Sequence, residues 1–298
     1  MFGVYFGKYL VDKGILTQEQ YNLIMSDSKN TRVKMGLLAV ESGYMTTEQA
    51  DEVNNLQQTQ DKRFGDIAVE KGYLTEEQVG KLLEKQGEEY LLFVQALIEK
   101  NILTLEQIQS ELNAYKKSEH YSASDIEAIK SGDVDRIVPV FVKDESIPAL
   151  VREYIALSAR NIVRFIDRYF RMEKVEKITE YTSAYVAAQE LDGAHKIFTG
   201  FCGDGQGIKV IAQEYAQEEF DAVDLDVLDA ACEFLNCNNG LYATKLSYED
   251  VDIDMCPPIM KEEMTTIQTE GDMFRVPVYV KGKAVDLIVC IGAECALN

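Results

Sequence analysis

The chain has no tryptophan, two histidines and five prolines. Large apolar packing must therefore come from its 16 tyrosines and 12 phenylalanines, and its 46% hydrophobic content suffices for packed cores. Thiols are missing from the first two thirds: the six cysteines stand at 202, 232, 237, 256, 290 and 295. None forms a Cys-x-x-Cys pair, and His120 and His195 are remote from any two of them. A structural metal needs clustered donors at short spacing, so no intrinsic metal is expected, and reduced, partly buried thiols are. No apolar run reaches the 18 or more residues of a membrane span, and the opening MFGVYFGKYLVDKG lacks a signal-peptide layout. A soluble, cytoplasmic protein without membrane insertion is expected. Basic residues are scarce, 30 against 51 acidic ones, a net charge of −21. Nucleic-acid phosphates and anionic membranes want a basic face, so the charge argues against both as partners.

The charge is uneven. Residues 1–118 hold 13 Lys/Arg against 18 Asp/Glu, a net −5; residues 119–298 hold 17 against 33, a net −16. Two differently composed parts predict two domains. The first is an internal repeat of period 29. Gly14, Gly43, Gly72 and Asn101 keep that spacing, as do Thr17, Thr46, Thr75 and Thr104, and Gln20, Gln49, Gln78 and Gln107. The units read FGKYLVDKGILTQEQ, MGLLAVESGYMTTEQ, FGDIAVEKGYLTEEQ and FVQALIEKNILTLEQ. In each, a short helix ends at Gly or Asn, residues that tolerate the left-handed C′ conformation. Thr-x-x-Gln then forms a capping box that starts a second helix. Each unit is thus predicted to be a helical hairpin whose apolar stripe needs a neighbour to cover it.

These units resemble the N-terminal MshEN-type domain of type II secretion and type IV pilus assembly ATPases. That domain joins two motifs that begin Arg-Leu-Gly and end in Gln, and some members bind cyclic di-GMP. Repeat three matches with Arg63-Phe64-Gly65 and Gln86, and repeat two with Lys34-Met35-Gly36 and Gln57, five residues apart. The resemblance makes Lys34, Gln57, Arg63 and Gln86 the candidate cyclic di-GMP ligands, converging between repeats two and three. Arg can fork onto a guanine edge, whereas Lys is a point charge. Lys34 in place of Arg, and Asn54 where an apolar residue would cover the ligand, depart from the pattern. A protein-docking role for the repeats stands beside the sensor role.

Residues 119–146 read as a connector, Ser- and Asp-rich at its ends, with a short helix from Ser124 and an apolar run, 137–142, interrupted by Pro139. Residues 147–298 are predicted to form an α+β, two-layer domain with a mostly antiparallel sheet. An amphipathic helix spans Leu150 to Met172, with Arg152, Arg160, Arg164, Arg168 and Arg171 largely off its apolar stripe. Strands follow near 185–189, 196–201 and 208–213. The glycines at 200, 203, 205 and 207 lack the Gly-Lys-Ser/Thr of a phosphate loop, so a hairpin turn is expected there. Phe274–Val280 and Ala284–Ile291 flank Lys281-Gly282-Lys283 as a second hairpin.

One stretch carries chemistry. Leu225, Leu228, Ala231, Cys232 and Leu235 recur at helical spacing. Glu233 and Asn236 leave that helix on one face, with Asp229 a turn earlier. A carboxylate beside a carboxamide can hold a partner with the acid and orient a water with the amide. The spacing Asp229-x-x-x-Glu233-x-x-Asn236, with Gly240 and Pro258 following, resembles the signature of the CheC/CheX/FliY chemotaxis phosphatases. The likeness spans roughly 147–291, and a single motif copy is nearest to CheX.

That resemblance implies dephosphorylation of a phosphorylated CheY-like response regulator in two-component signalling. Asn236 would position the attacking water, and Glu233 would pair with the regulator's active-site Lys. The Mg²⁺ would be carried by the regulator, leaving this chain without a cofactor of its own. It also implies a homodimer through sheet edges, with the 274–291 hairpin as the edge. Asn238 and Asn239 replace the small apolar residues usual after the motif, which keeps a non-catalytic adaptor as the alternative.

Overall fold

A computed structural model describes residues 1–27, 33–57, 62–85 and 89–298, and the chain divides into two units, 1–132 and 133–298. The first unit is all helical: α1 (Phe2–Asp12), α2 (Gln18–Asp27), α3 (Met35–Glu41), α4 (Thr47–Gln57), α5 (Phe64–Glu70), α6 (Glu76–Glu84), α7 (Glu89–Glu99), α8 (Leu105–Ser118) and α9 (Ala123–Ser131).

The 29-residue period becomes one turn built four times. Gly14, Gly43, Gly72 and Asn101 all sit at positive φ, between 53° and 73°. The amides of the two residues at each turn reach back to close a Schellman motif, as Gly14 N–H does to Val11 and Ile15 N–H to Leu10, both 2.9 Å. Each threonine then accepts from the glutamine N–H at 3.1–3.3 Å and each glutamine side chain accepts from the threonine N–H at 2.8–2.9 Å. These are the capping boxes the sequence predicts.

The repeats associate in pairs. In one pair, α1 and α2 of repeat one pack on α7 of repeat four; in the other, α3 and α4 of repeat two pack on α5 and α6 of repeat three. Aromatics fill the first interface: Phe2 meets Tyr90 edge-on at 4.8 Å and Phe6 lies 5.8 Å from Tyr115. The boundary between the units falls inside the segment 119–146, after Gly132. Ser122, not Ser124, caps α9 in a box with Asp125. Ile126 and Ile129 of α9 are buried, and the helix packs on α1 and α7.

The second unit begins with α10 (Val134–Phe141) and α11 (Ala149–Phe165). It continues through β1 (Arg171–Met172), β2 (Glu176–Ser183), β3 (Tyr185–Gly193), β4 (Ile197–Gly203), α12 (Gln206–Ala216), α13 (Leu225–Ser247), β5 (Ile253–Lys261), β6 (Thr265–Val280), β7 (Lys283–Ile291) and β8 (Ala296–Leu297). Its sheet runs β1-β6-β7-β4-β3-β5, with β2 and β8 also on β6, and every pairing is antiparallel. Helices α11, α12 and α13 cover one face. On the other face Val186, Ala188, Phe198, Ile288 and Cys290 meet Ile267, Met273, Ile178 and Leu297 as a second apolar core.

Three sequence expectations are corrected here. The first helix stops at Phe165 rather than Met172. Asp167 accepts from the Tyr169 N–H at 2.8 Å and the Lys281 N–H at 2.7 Å, which turns the chain into β1. Residues 208–213 are helical, not a strand: Gly205 at φ +88° and the Asp204 carboxylate on the Gln206 N–H start α12. Ile208, Ile211 and Ala212 face the core at helical spacing, a pattern too short to separate from a buried strand by sequence. The 274–291 hairpin, closed by Lys281 and Gly282 at φ 45° and 78°, is not a sheet edge. Its strands are flanked by β1 and β2 on one side and β4 on the other. An edge-to-edge dimer through it is therefore excluded by pairing already made.

Candidate functional site

The site stands on α13, which runs eleven residues past Asn236 to Ser247 and is started by the Asp224 carboxylate on the Val227 N–H. Leu228, Ala231, Leu235, Asn238, Asn239, Tyr242 and Leu246 form its buried stripe. One step round, Asp229, Glu233 and Asn236 form an exposed one. The structure thus brings Glu233 and Asn236 onto one solvent-facing side of the helix, as their spacing predicts. Leu225, Leu241 and Met255 are exposed large apolar side chains.

Asn236 is exposed, yet its side chain is tied inward. Its Oδ1 accepts from Gln189 Nε2 at 3.0 Å. Gln189, on β3 and only 3% exposed, also donates to the Cys256 carbonyl at 2.8 Å. Its own Oε1 accepts from Asn239 Nδ2 at 2.8 Å. Asn239 Oδ1 in turn accepts from the Tyr154 hydroxyl at 2.6 Å, and the Thr199 hydroxyl bonds the same carboxamide. A parallel branch links Asn161 to Asn238 at 2.8 Å and Asn238 to Ser158 at 3.0 Å. Asn238 and Asn239, the departures from the motif, are core residues, and each of their side-chain polar atoms has a partner. Burial pushes the Tyr154 phenol up to about 12, so it serves as a neutral donor.

Gln189 escaped the sequence reading, and Asn239 entered it only as a departure from the motif. The signal was present but weak: two asparagines at buried-stripe positions, and a glutamine in the otherwise apolar run Val186-Ala-Ala-Gln189. Buried polar side chains demand partners, and these two demand each other.

Cys232 offers no reactive thiolate to this face. Cys232 lies in the core beneath Glu233, and burial first, then the Asp229 charge, pushes its thiol up to about 12. The population of thiolate at neutral pH is negligible. Tyr215 is raised by burial, by its hydrogen bond with Cys237 and by the charge of Glu233. Three of the five arginines in the stretch 150–172 are committed to structure. Arg160 pairs with Asp135 at 2.7 Å, Arg152 donates to the Asp144 carbonyl at 3.0 Å, and Arg171, past the helix, pairs with Glu173 and stacks over Tyr279.

In the first unit the four candidate ligands fare differently. Lys34 caps α3, gives its backbone N–H to the buried Gln95 and pairs its ammonium with Glu99 at 2.7 Å. Among the described residues it alone of the four lines a cavity of about 540 Å³. That cavity lies between repeats two and four, with Leu37, Asn54, Ile98 and Leu103 in its wall and Asp51, Glu99 and Glu106 at its polar side. Arg63 caps α5 and is exposed outside it. Gln57, also exposed, donates to the Lys62 carbonyl at 3.2 Å. Gln86 and most of the spacer between repeats two and three lie outside the described residues.

No family model and no curated protein matches the chain. Solved structures match its C-terminal half. One is a chemotaxis protein CheX from Desulfovibrio desulfuricans, 12% identical, covering 49% of this chain and 100% of its own, with a TM-score of 0.42. A CheC-like superfamily protein from Shewanella sp. PV-4 is 14% identical over 49% of this chain and 99% of its own, TM-score 0.43. A chain of the CheX–CheY–BeF3–Mg²⁺ complex from Borrelia burgdorferi is 15% identical over 48% and 97%, TM-score 0.38.

Proposed function

We propose that the second unit is a phosphatase acting on the aspartyl phosphate of a CheY-like response regulator. The observation that carries this reading is the exposed pair Glu233 and Asn236 on one face of α13, with the Asn236 carboxamide held from below by a buried side chain. It supports the role that the motif resemblance implies. An acyl phosphate is already activated for hydrolysis, so a catalyst has mainly to place a water in line with the phosphorus. A carboxamide can do this, since its NH2 group donates to the water oxygen without titrating. Glu233, a turn away, would meet the regulator's active-site Lys and fix the register of docking. The Mg²⁺ of that reaction is the regulator's.

The test is phosphate release from a phosphorylated receiver protein with and without this chain. Asn236→Ala should lower the stimulated rate about 10²-fold or more, the usual penalty for losing a positioning group, while the variant stays folded. A wild-type chain that leaves the regulator's own decay unchanged would favour the adaptor reading instead. A variant as fast as wild type would remove Asn236 from the mechanism.

A further inference from the structure

We infer that Gln189 is a positioning residue for the Asn236 carboxamide; its catalytic consequence rests on the phosphatase reading, its geometry does not. The Cys256 carbonyl can only accept, so the group facing it at 2.8 Å must be the Gln189 amide nitrogen. That assigns both ends of Gln189. Its Nε2 supplies one hydrogen to Cys256 and the other to the Asn236 oxygen at 3.0 Å, and its Oε1 receives the Asn239 Nδ2 at 2.8 Å. Asn236 must then turn Oδ1 inward and present its NH2 group to solvent. The bond network fixes this choice among amide orientations.

The fold builds this arrangement deliberately. Gln189 pairs with Thr199 across β4 and with Pro258 across β5, and the β3–β5 register shifts between Gln189 and Leu191. Cys256 sits in that offset, where its carbonyl meets the Gln189 side chain. A bulge commonly re-aims a group in this way. Gln189 is itself locked at the other end, because Asn239 is held by Tyr154 and Thr199. An exposed asparagine on a helix normally samples several rotamers; this one is anchored to the core. Glu233 has no part in the chain of bonds, so docking and water placement rest on separate supports.

Gln189→Met keeps length and apolar bulk and removes the side chain's three hydrogen bonds. In the phosphate-release assay it should lower kcat by roughly 10- to 100-fold with KM unchanged within twofold. In side-chain amide NMR the Asn236 NH2, ordered like the backbone in wild type, should become mobile in the variant. A loss confined to KM, a kcat within twofold of wild type, or an Asn236 NH2 equally ordered without Gln189 would overturn the proposal. Should wild type show no phosphatase activity, the functional reading falls while the NMR comparison still decides the positioning. Should Gln189→Met fail to fold, wild type alone decides. Both Gln189 amide hydrogens should exchange slowly and show a cross-relaxation contact to the Asn236 β-hydrogens, and their absence would refute the arrangement.

Discussion

The two units use polar side chains in opposite ways. In the helical unit the repeat-defining hydrogen bonds join residues three apart, Thr17 to Gln20 and its copies. They lie at the surface, and each serves one helix start. In the α+β unit the bonds around Tyr154, Asn239, Gln189 and Asn236 join residues 40 to 85 positions apart and are mostly buried. The difference teaches where failure spreads. A lost cap frees one helix terminus that water can satisfy. A lost member of the buried network leaves several groups without partners in a dry core, where each unsatisfied group costs its full desolvation.

The sharpest way to break that comparison is Asn239→Leu. The substitution keeps the number and branching of the side-chain heavy atoms but leaves the Tyr154 hydroxyl, Thr199 and the Gln189 carbonyl oxygen without their common partner. At about 1–3 kcal/mol for each buried group left unsatisfied, the unit should lose about 3 kcal/mol or more. Urea unfolding would read this as a lower midpoint at constant slope. A loss below about 1 kcal/mol would mean the network relaxes or admits water, and the contrast with the caps would fail.

A smaller effect is expected at Thr75→Ala. It deletes one capping box, with an N-cap cost of about 1 kcal/mol. Because the boxes are local and share no partners, Thr46→Ala and Thr75→Ala should add within about 0.5 kcal/mol. Amide exchange should rise in the first unit and stay unchanged in the second. Strong non-additivity would show that the repeats communicate through more than their packing.

The same contrast explains what the sequence disclosed. Chemistry confined to three or four residues repeats visibly, so the period of 29, the capping boxes and the left-handed turns were all legible. So was the Glu233–Asn236 face, because i and i+3 on a helix is again a local relation. Gln189 was not, since nothing near position 189 announces a partner at 236 or 239. Short apolar runs misled for a related reason: Ile208 and Ile211 are consistent with either period until Gly205 and Gly207 are seen starting a helix against β7. A Cβ at Gly207 would stand 2.3 Å from the Ala284 carbonyl oxygen, a contact between residues 77 positions apart in chain order. The pairing of repeat one with repeat four was equally hidden, because identical units do not reveal which neighbour each will choose.

The smallest effect tests how far locality extends. Gly43 occupies the left-handed turn of repeat two at φ 69°, and nothing lies within 4 Å of where a Cβ would stand. The equivalent residue of repeat four is Asn101, at φ 53° with the same two closing bonds, from Asn101 N–H to Ile98 and from Ile102 N–H to Leu97. Space is therefore no obstacle at Gly43, and conformation alone sets the cost. Asn tolerates the left-handed region because its short polar side chain bonds locally, whereas Ala meets the full penalty of that region. Gly43→Asn should change unfolding free energy by less than about 0.5 kcal/mol, and Gly43→Ala should cost about 1 kcal/mol. Equal penalties for the two would show that the turn responds to something beyond its own backbone, and the first unit would no longer be the local half of the comparison.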